Sequence, residues 1–267
     1  MAKNMTNMLI VSKDRALQLD LLLRSMADNF KVPHITTIIY TYSDNLYKKG
    51  YDILINEYPH LKFVKETNFR EDVLNTLSRS FKYHTALCDD CVFPRRLERT
   101  KEFNIFDANT DILALNYRIG PNMKVVYQGE PETPLPVFTK DHIWNWQTAK
   151  TRAWKYSMAL AGQFYRMVDM VDYLPHLNFD CPTFIETRMM QNQINKPLQI
   201  CFDESKIIAL EINRVQDRSL TNKHGNITAE YLNNQWLDGM RIRKESVYCL
   251  PTEINRFFNV KLEFEER

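Results

Sequence analysis

Glycine is scarce, with 6 residues in a chain of 267. Neither G-x-G-x-x-G nor a Walker-type loop occurs, which sets aside phosphate binding by a glycine-rich backbone cradle. Apolar runs are short, and none approaches the ~20 residues of a membrane span. The opening MAKNMTNMLIVSKDR has no long apolar stretch before its first charges, so no signal peptide is expected. The 5 cysteines are odd in number and irregularly spaced. They do not form a disulfide framework, and the reading is a cytoplasmic, reduced protein. A net charge of +2 is too small to name nucleic acid as the partner. Internal repeats, low-complexity tracts and Gly/Ser linkers are missing as well, so one continuous domain over 1–267 is expected.

What is present is ordinary for a soluble core: 44% hydrophobic and 25% charged residues. Along the first 110 residues the pattern alternates. NMLIVSKDR reads as a strand, ALQLDLLLRSMADNF as a helix with leucines at helical spacing, and HITTIIYTYSDN as a β-branched strand. NLYKKGYDILINEYP is a helix stopped by Pro59, LKFVKET a strand, FREDVLNTLSRS a helix with acids in its first turn, and YHTALCDDCVF a fourth strand. Such alternation predicts a parallel α/β layer, whose ligands bind beyond the carboxyl ends of the strands. Asp89 and Asp90 fall at that edge. The region 111–267 is less regular. DILALNYRI and KVVYQGE read as strands, with a hairpin as one pairing. Residues 142–175 are aromatic-rich and partly helical. PTFIETRMMQNQI is a helix with Pro182 in its first turn, and TAEYLNNQWLDG a helix capped by Thr228 and followed by Gly239.

Two adjacent carboxylates repel each other and lose solvation unless a cation or hydrogen-bond donors compensate. Asp89 and Asp90 therefore read either as a solvated turn or cap, or as a site for a hard divalent ion such as Mg²⁺ or Mn²⁺ shared with substrate phosphates. Cys88 and Cys91 flank them as C-x-x-C. A zinc site lacks its second ligand pair, and two intervening acids oppose the lowered thiol pKa of a redox pair, so small buried cysteines are the better reading. His224, in TNKHGN, is either a solvated loop residue or a neutral nitrogen ligand. The run PRRLERTK, with Arg95, Arg96 and Arg99, is a charged face or a phosphate track. Trp144, Trp146, Trp154, Tyr156, Phe164 and Tyr165 are mostly core, with part available to stack on a sugar ring.

Taken in order, these pieces resemble the GT-A type glycosyltransferases, in particular a group of small stand-alone bacterial and viral enzymes. IVSKDRALQLDLLLRSM resembles their opening strand and helix, and YTYSDN their second strand end. LCDDCVF stands in place of their DXD-type motif. YSMALAGQFYR with FDCPTFIE resembles the acceptor-side segment, and EINRVQDR…HG…TAEYLNNQWLDGMRI the C-terminal module. Cys88 occupies the first slot of a strict D-x-D, so the metal would depend on Asp90 with help from Asp89.

The resemblance implies a Rossmann-like, mostly parallel central sheet, with a nucleotide-sugar half over 1–110 and an irregular acceptor-side half over 111–267. It implies a nucleoside-diphosphate sugar donor lying near Ser12, Lys13, Asp14, Arg15, Tyr42, Asp44 and Asp89. Mn²⁺ or Mg²⁺ would be held by Asp90, Asp89 and His224. For an inverting enzyme the base would be Glu186, which equally reads as a first-turn helix acid, or else Asp180. The acceptor hydroxyl would belong to a surface glycan or to a hydroxylated base in phage DNA. Replacing both aspartates by Asn should abolish transfer and leave the fold nearly intact. Two other readings stand beside this one: a nucleotide-sugar-forming nucleotidyltransferase, disfavoured by the missing glycine-rich loop, and a non-catalytic sugar-nucleotide binding protein.

Overall fold

The computed structural model describes residues 4–216, 218 and 223–267. Its first seven elements follow the alternation in the sequence: β1 (Thr6–Lys13), α1 (Ala16–Asn29), β2 (His34–Thr41), α2 (Asn45–Glu57), β3 (Lys62–Lys65), α3 (Phe69–Leu74) and β4 (Tyr83–Cys88). Local chemistry sets the boundaries. Asp44 caps α2 by accepting the Leu46 and Tyr47 amides, and α2 ends ahead of Pro59. Asn68 caps α3 by accepting the Glu71 amide. That helix ends at Leu74, short of the expected Ser80, in a stretch of Asn, Thr and Ser whose side chains compete for backbone groups. Thr76, for instance, donates to the Val73 carbonyl.

The chain then turns through Asp89 and Asp90 into β5 (Cys91–Val92), followed by α4 (Lys101–Ala108), β6 (Ile112–Asn116), β7 (Val125–Tyr127), β8 (Ile143–Asn145), α5 (Arg152–Lys155) and β9 (Gln163–Arg166). After these come α6 (Met167–Tyr173), α7 (Pro182–Gln191), β10 (Leu198–Cys201), β11 (Ile208–Leu210), α8 (Ala229–Leu237), β12 (Met240–Ile242), α9 (Glu245–Tyr248), β13 (Ile254–Phe257) and β14 (Phe264–Glu266). The central sheet has eight strands in the order β3-β2-β1-β4-β9-β6-β10-β8. Six run the same way, and β9 and β8 are reversed. A second sheet, β5-β11-β13-β7, packs beside it, and β12 pairs with β14.

The central sheet is covered on both faces. Along β1, Met8 and Ile10 enter one core while Leu9 and Val11 enter the other, which is why the strand reads as a continuous apolar run. The aromatic segment is core as expected: Trp144, Trp146, Trp154, Phe164 and Tyr165 are all buried. It also holds two strands, β8 and β9, that its helix-like pattern conceals. The hairpin pairing of DILALNYRI with KVVYQGE does not form. β6 joins the central sheet between β9 and β10, whereas β7 joins the second sheet parallel to β13. At the C-terminal end Thr228 caps α8 and Gly239 follows it at φ +84. Trp236 of α8 donates to the Gly50 carbonyl at 2.9 Å, tying that module to α2.

Candidate active site

The pair Asp89–Asp90 is the two-residue link between the sheets, and the two carboxylates are treated differently. Asp89 is 3% exposed. It accepts from Ser12 Oγ at 2.8 Å, from the Lys13 amide at 3.2 Å and from Arg15 Nη1 at 2.9 Å. Burial raises its carboxyl above the usual carboxylate range; Arg15 opposes the rise and the charge of Asp90 adds to it. Burial also works against the Arg15 cation, but the two aspartates more than offset this and keep the guanidinium charged. Arg15 is anchored in turn to Asn213, through its Oδ1 and its carbonyl oxygen, both at 2.7 Å. Asp89 thus joins β1 to the 211–216 segment, a role for which the dipeptide gave no signal.

Asp90 retains the freer carboxylate. Its backbone carbonyl accepts the Leu210 amide at 2.8 Å, which fixes it against β11. Its side chain lies 3.4 Å from Arg15 Nη1 and keeps 17% of its surface. Two cavities meet at this side chain. The larger, about 500 Å³, lies beyond the carboxyl ends of β1, β2 and β4. Ser12, Lys13, Arg15, Tyr42, Asp89 and Asp180 of the expected set line it, together with Asp90. Glu66, at the end of β3, also lines it; sequence reasoning passed it over, although its place in KET at a strand end marked it. Asp180 is exposed and paired with Arg218 at 2.6 Å, an ion pair that lowers its pKa.

The smaller cavity, about 170 Å³, shares Cys88, Asp90, Pro182 and Thr183 with the larger and adds Glu186, Arg118, Glu211 and Arg256. Glu186 lies in the second turn of α7, not the first. One of its oxygens accepts the Leu160 amide at 3.0 Å, and its charge, after burial, helps hold the Tyr156 hydroxyl above its usual pKa. Glu211 is ion-paired with Arg256. Burial, with the charge of Asp90 beside it, pushes the Cys88 thiol well up, and Cys91 is raised too. Both sulfurs are thiols, all five cysteines are unpaired, and the small-buried-cysteine reading of C-x-x-C fits.

The other expected residues are not brought to either cavity lining. Asp14, in the left-handed region at φ 55, accepts from the Ser43 amide at 2.7 Å and from the Ser43 hydroxyl, so it pins the end of β1 to the end of β2. Asp44 is spent on capping α2. His224 is exposed with Nδ1 2.7 Å from the Gly225 carbonyl. Among the described residues no group of three or more His, Cys, Asp and Glu is assembled for a metal. Arg95, Arg96 and Arg99 are each engaged by acids of this chain, Glu204, Glu98 and Asp107. Among the described residues no helix is long and apolar enough to cross a membrane.

No protein-family model matches the chain. The bifunctional glycosyltransferase pgtA of Dictyostelium discoideum is 26% identical, over 80% of this chain and 33% of its own length. The chain therefore spans about a third of the curated relative that it matches. The glycosyltransferase resemblance carried by the ordered motifs is met by a protein of that name. Among solved structures, S. aureus TarS overlaps 76% of this chain and 36% of its own at 13% identity and a TM-score of 0.46. TarS 1–349 in complex with UDP-GlcNAc overlaps 69% of this chain and 53% of its own at 11% identity and 0.44. A cytidylyltransferase from Leptospira borgpetersenii overlaps 75% and 76% at 8% identity and 0.44. These overlaps are loose, and the α/β assignment stands on the strand order of the chain itself.

Proposed function

We propose that this chain is a metal-dependent glycosyltransferase that moves a sugar from a nucleoside-diphosphate sugar to a hydroxyl acceptor. The observation that carries the reading is the position of Asp90, at the seam of a large cavity over the strand ends and a small cavity holding a second carboxylate, Glu186. Similarity to a named glycosyltransferase supports the same reaction class.

The donor set fits a hard divalent ion of one kind. Asp89 already accepts from Ser12, Lys13 and Arg15, so Asp90 is the freer carboxylate of the pair. A site with one protein carboxylate, completed by substrate phosphates and water, suits Mg²⁺ or Mn²⁺, and an all-protein cage does not. Such an ion supplies charge neutralisation to the departing diphosphate. The chain does the rest. Lys13 and Arg15 place cations among the acids of the large cavity, and Arg15 keeps Asp90 oriented. In an inverting displacement the acceptor oxygen bonds to the anomeric carbon and the bond from that carbon to the diphosphate oxygen breaks. The electron pair leaves with the nucleoside diphosphate, and the acceptor proton passes to Glu186. The Leu160 amide holds that carboxylate in place. Five unpaired cysteines agree with the reducing, cytoplasmic setting of this reading.

The test is a panel of UDP-, GDP-, CDP- and dTDP-sugars with Mn²⁺, with and without chelator. Release of nucleoside diphosphate that stops on chelation and returns with added ion is the expected result. Formation of pyrophosphate from a nucleoside triphosphate and a sugar phosphate would replace this reading by the nucleotidyltransferase one. The anomeric configuration of the product tells whether Glu186 is needed as a base.

A further inference from the structure

Arg118 is a charged side chain of the small cavity whose chemistry the reading above leaves unused. It follows β6 and is held rigidly by its backbone. Its amide donates to the Asn116 side chain at 3.0 Å and to the Gly162 carbonyl at 3.1 Å, and its own carbonyl accepts from Asn255 at 2.8 Å. Gly162, at φ +85, leaves room for it, since a Cβ there would stand 2.5 Å from Arg118 Cβ. The guanidinium lies 5.8 Å from the Tyr156 ring centre, and the Glu186 charge acts on both groups. Arg118 is 7% exposed, lines the cavity, and its Nε and Nη2 are buried with no hydrogen-bond partner. Leaving two guanidinium donors unmade is costly, and the fork they form matches two neighbouring oxygens.

The surrounding charges say which oxygens. Glu211 is matched by Arg256, and Asp90 by Arg15. Arg118 is left facing Glu186, so an anionic group on the fork would crowd that carboxylate, whereas neutral hydroxyls would not. Resting on the transferase reading, we propose that the small cavity is the acceptor subsite. In it Arg118 determines specificity, receiving two hydroxyl oxygens next to the reacting one on a neutral sugar ring. A hydroxylated base in DNA, with a single hydroxyl, does not satisfy this fork.

The experiment uses the whole chain, the donor sugar it turns over, and methyl hexopyranosides with their monodeoxy analogues as acceptors. A methyl uronoside and duplex DNA carrying hydroxymethylcytosine complete the set. Removal of a held hydroxyl should raise the acceptor KM of the wild type roughly 10- to 150-fold, the worth of a hydrogen bond to a charged group. Arg118→Met should raise it similarly for the parent sugar and erase the penalty for the deoxy analogue, with Arg118→Lys intermediate. Equal deoxy penalties in wild type and Arg118→Met overturn the proposal, as does preference for the uronoside or transfer to the DNA at equal rates with and without Arg118. Should Arg118→Met not fold, the wild-type series decides alone, and a uniform KM across it overturns the proposal. A wild type that turns over no nucleotide sugar overturns the transferase reading itself; donor turnover without a diol penalty overturns this inference only.

Discussion

The two cavities that meet at Asp90 are built by different means. The larger uses what a parallel sheet provides at its carboxyl edge: strand ends side by side and polar residues where the apolar runs stop. The smaller is assembled from side chains on four separate stretches, Arg118 after β6, Glu186 on α7, Glu211 after β11 and Arg256 on β13. Its walls combine that charged set with apolar side chains, among them Leu160, Pro182 and Ile208. The first kind of site follows from local pattern and is expensive to alter where its residues also belong to the sheet, as Val11, Ser12 and Ile39 do. The second depends on tertiary pairing and can change one side chain at a time, which suits the part of an enzyme that chooses an acceptor.

If Asp90 is the seam, neutralising it should strike both functions. Asp90→Asn is expected to lower kcat on the order of 10³-fold, as for loss of a principal electrostatic contact in a transition state. Its melting temperature should stay close to wild type because the carboxylate is only loosely paired. Glu186→Gln should lower kcat by roughly 10²- to 10⁴-fold, the range for a general base, while nucleotide-sugar binding measured by titration is retained. Loss of donor binding in Glu186→Gln would erase the division between the cavities.

Asp89 tests the same comparison from the side of stability. Replacing it leaves Arg15 buried without its main partner, and breaking such a pair typically costs roughly 3–5 kcal/mol. Urea unfolding of Asp89→Asn should show a loss of that size, whereas Asp90→Asn shows little. The joint substitution, expected from the sequence to spare the fold, is therefore divided into one structural and one functional change. An Asp89→Asn protein as stable as wild type, yet inactive, would return Asp89 to the reacting centre.

The legibility of the sequence follows the same boundary. The alternation through β4, the Pro59 stop, the Pro182 start and the Thr228 cap were readable because each is a local signal, a period or a capping residue. Ser12, Lys13, Arg15 and Tyr42, expected near the donor from the resemblance, line the larger cavity at the strand ends, where an α/β layer puts its ligands. Asp14 and Asp44 carry the same local signal but satisfy backbone and serine groups beside them, and a dipeptide gives no hint of which use prevails. β8 and β9 were concealed because three- and four-residue strands flanked by tryptophans look like helix. β6 and β7 could not be assigned to separate sheets, since strand partnership is a long-range property. Arg118 and Arg256 were passed over because an isolated arginine in a sequence does not reveal that it is buried.

An effect on the fold, remote from both cavities, arises at the opposite end of the central sheet. His84 is 3% exposed, and its Nδ1 is 3.1 Å from the Asn7 side-chain amide, a geometry suited to a neutral imidazole accepting through that nitrogen. Burial lowers its pKa from 6.5 to about 4. The unfolded chain takes up a proton below about pH 6.5, and the folded chain waits until about 4. Stability from this residue is therefore complete above the upper value and falls as pH drops between them, by roughly 3 kcal/mol in all. Urea titrations at pH 7, 5.5 and 4 should show the decline, and His84→Gln should flatten it. Activity lost in the same window by wild type but kept by His84→Gln would belong to the fold and not to Glu186.

The smallest effect should come from the carboxylate on the wrong side of the seam. Asp180 lines the large cavity but is exposed and bound to Arg218, and solvent-exposed pairs of this kind contribute little. Asp180→Asn should change kcat/KM by less than about fivefold, in keeping with so weak a contact. The comparison with Glu186→Gln is decisive because the two acids were the alternative bases and lie in different cavities. A loss at Asp180 matching the one expected at Glu186 would put the acceptor hydroxyl in the large cavity. The division drawn here between donor side and acceptor side would then be reversed.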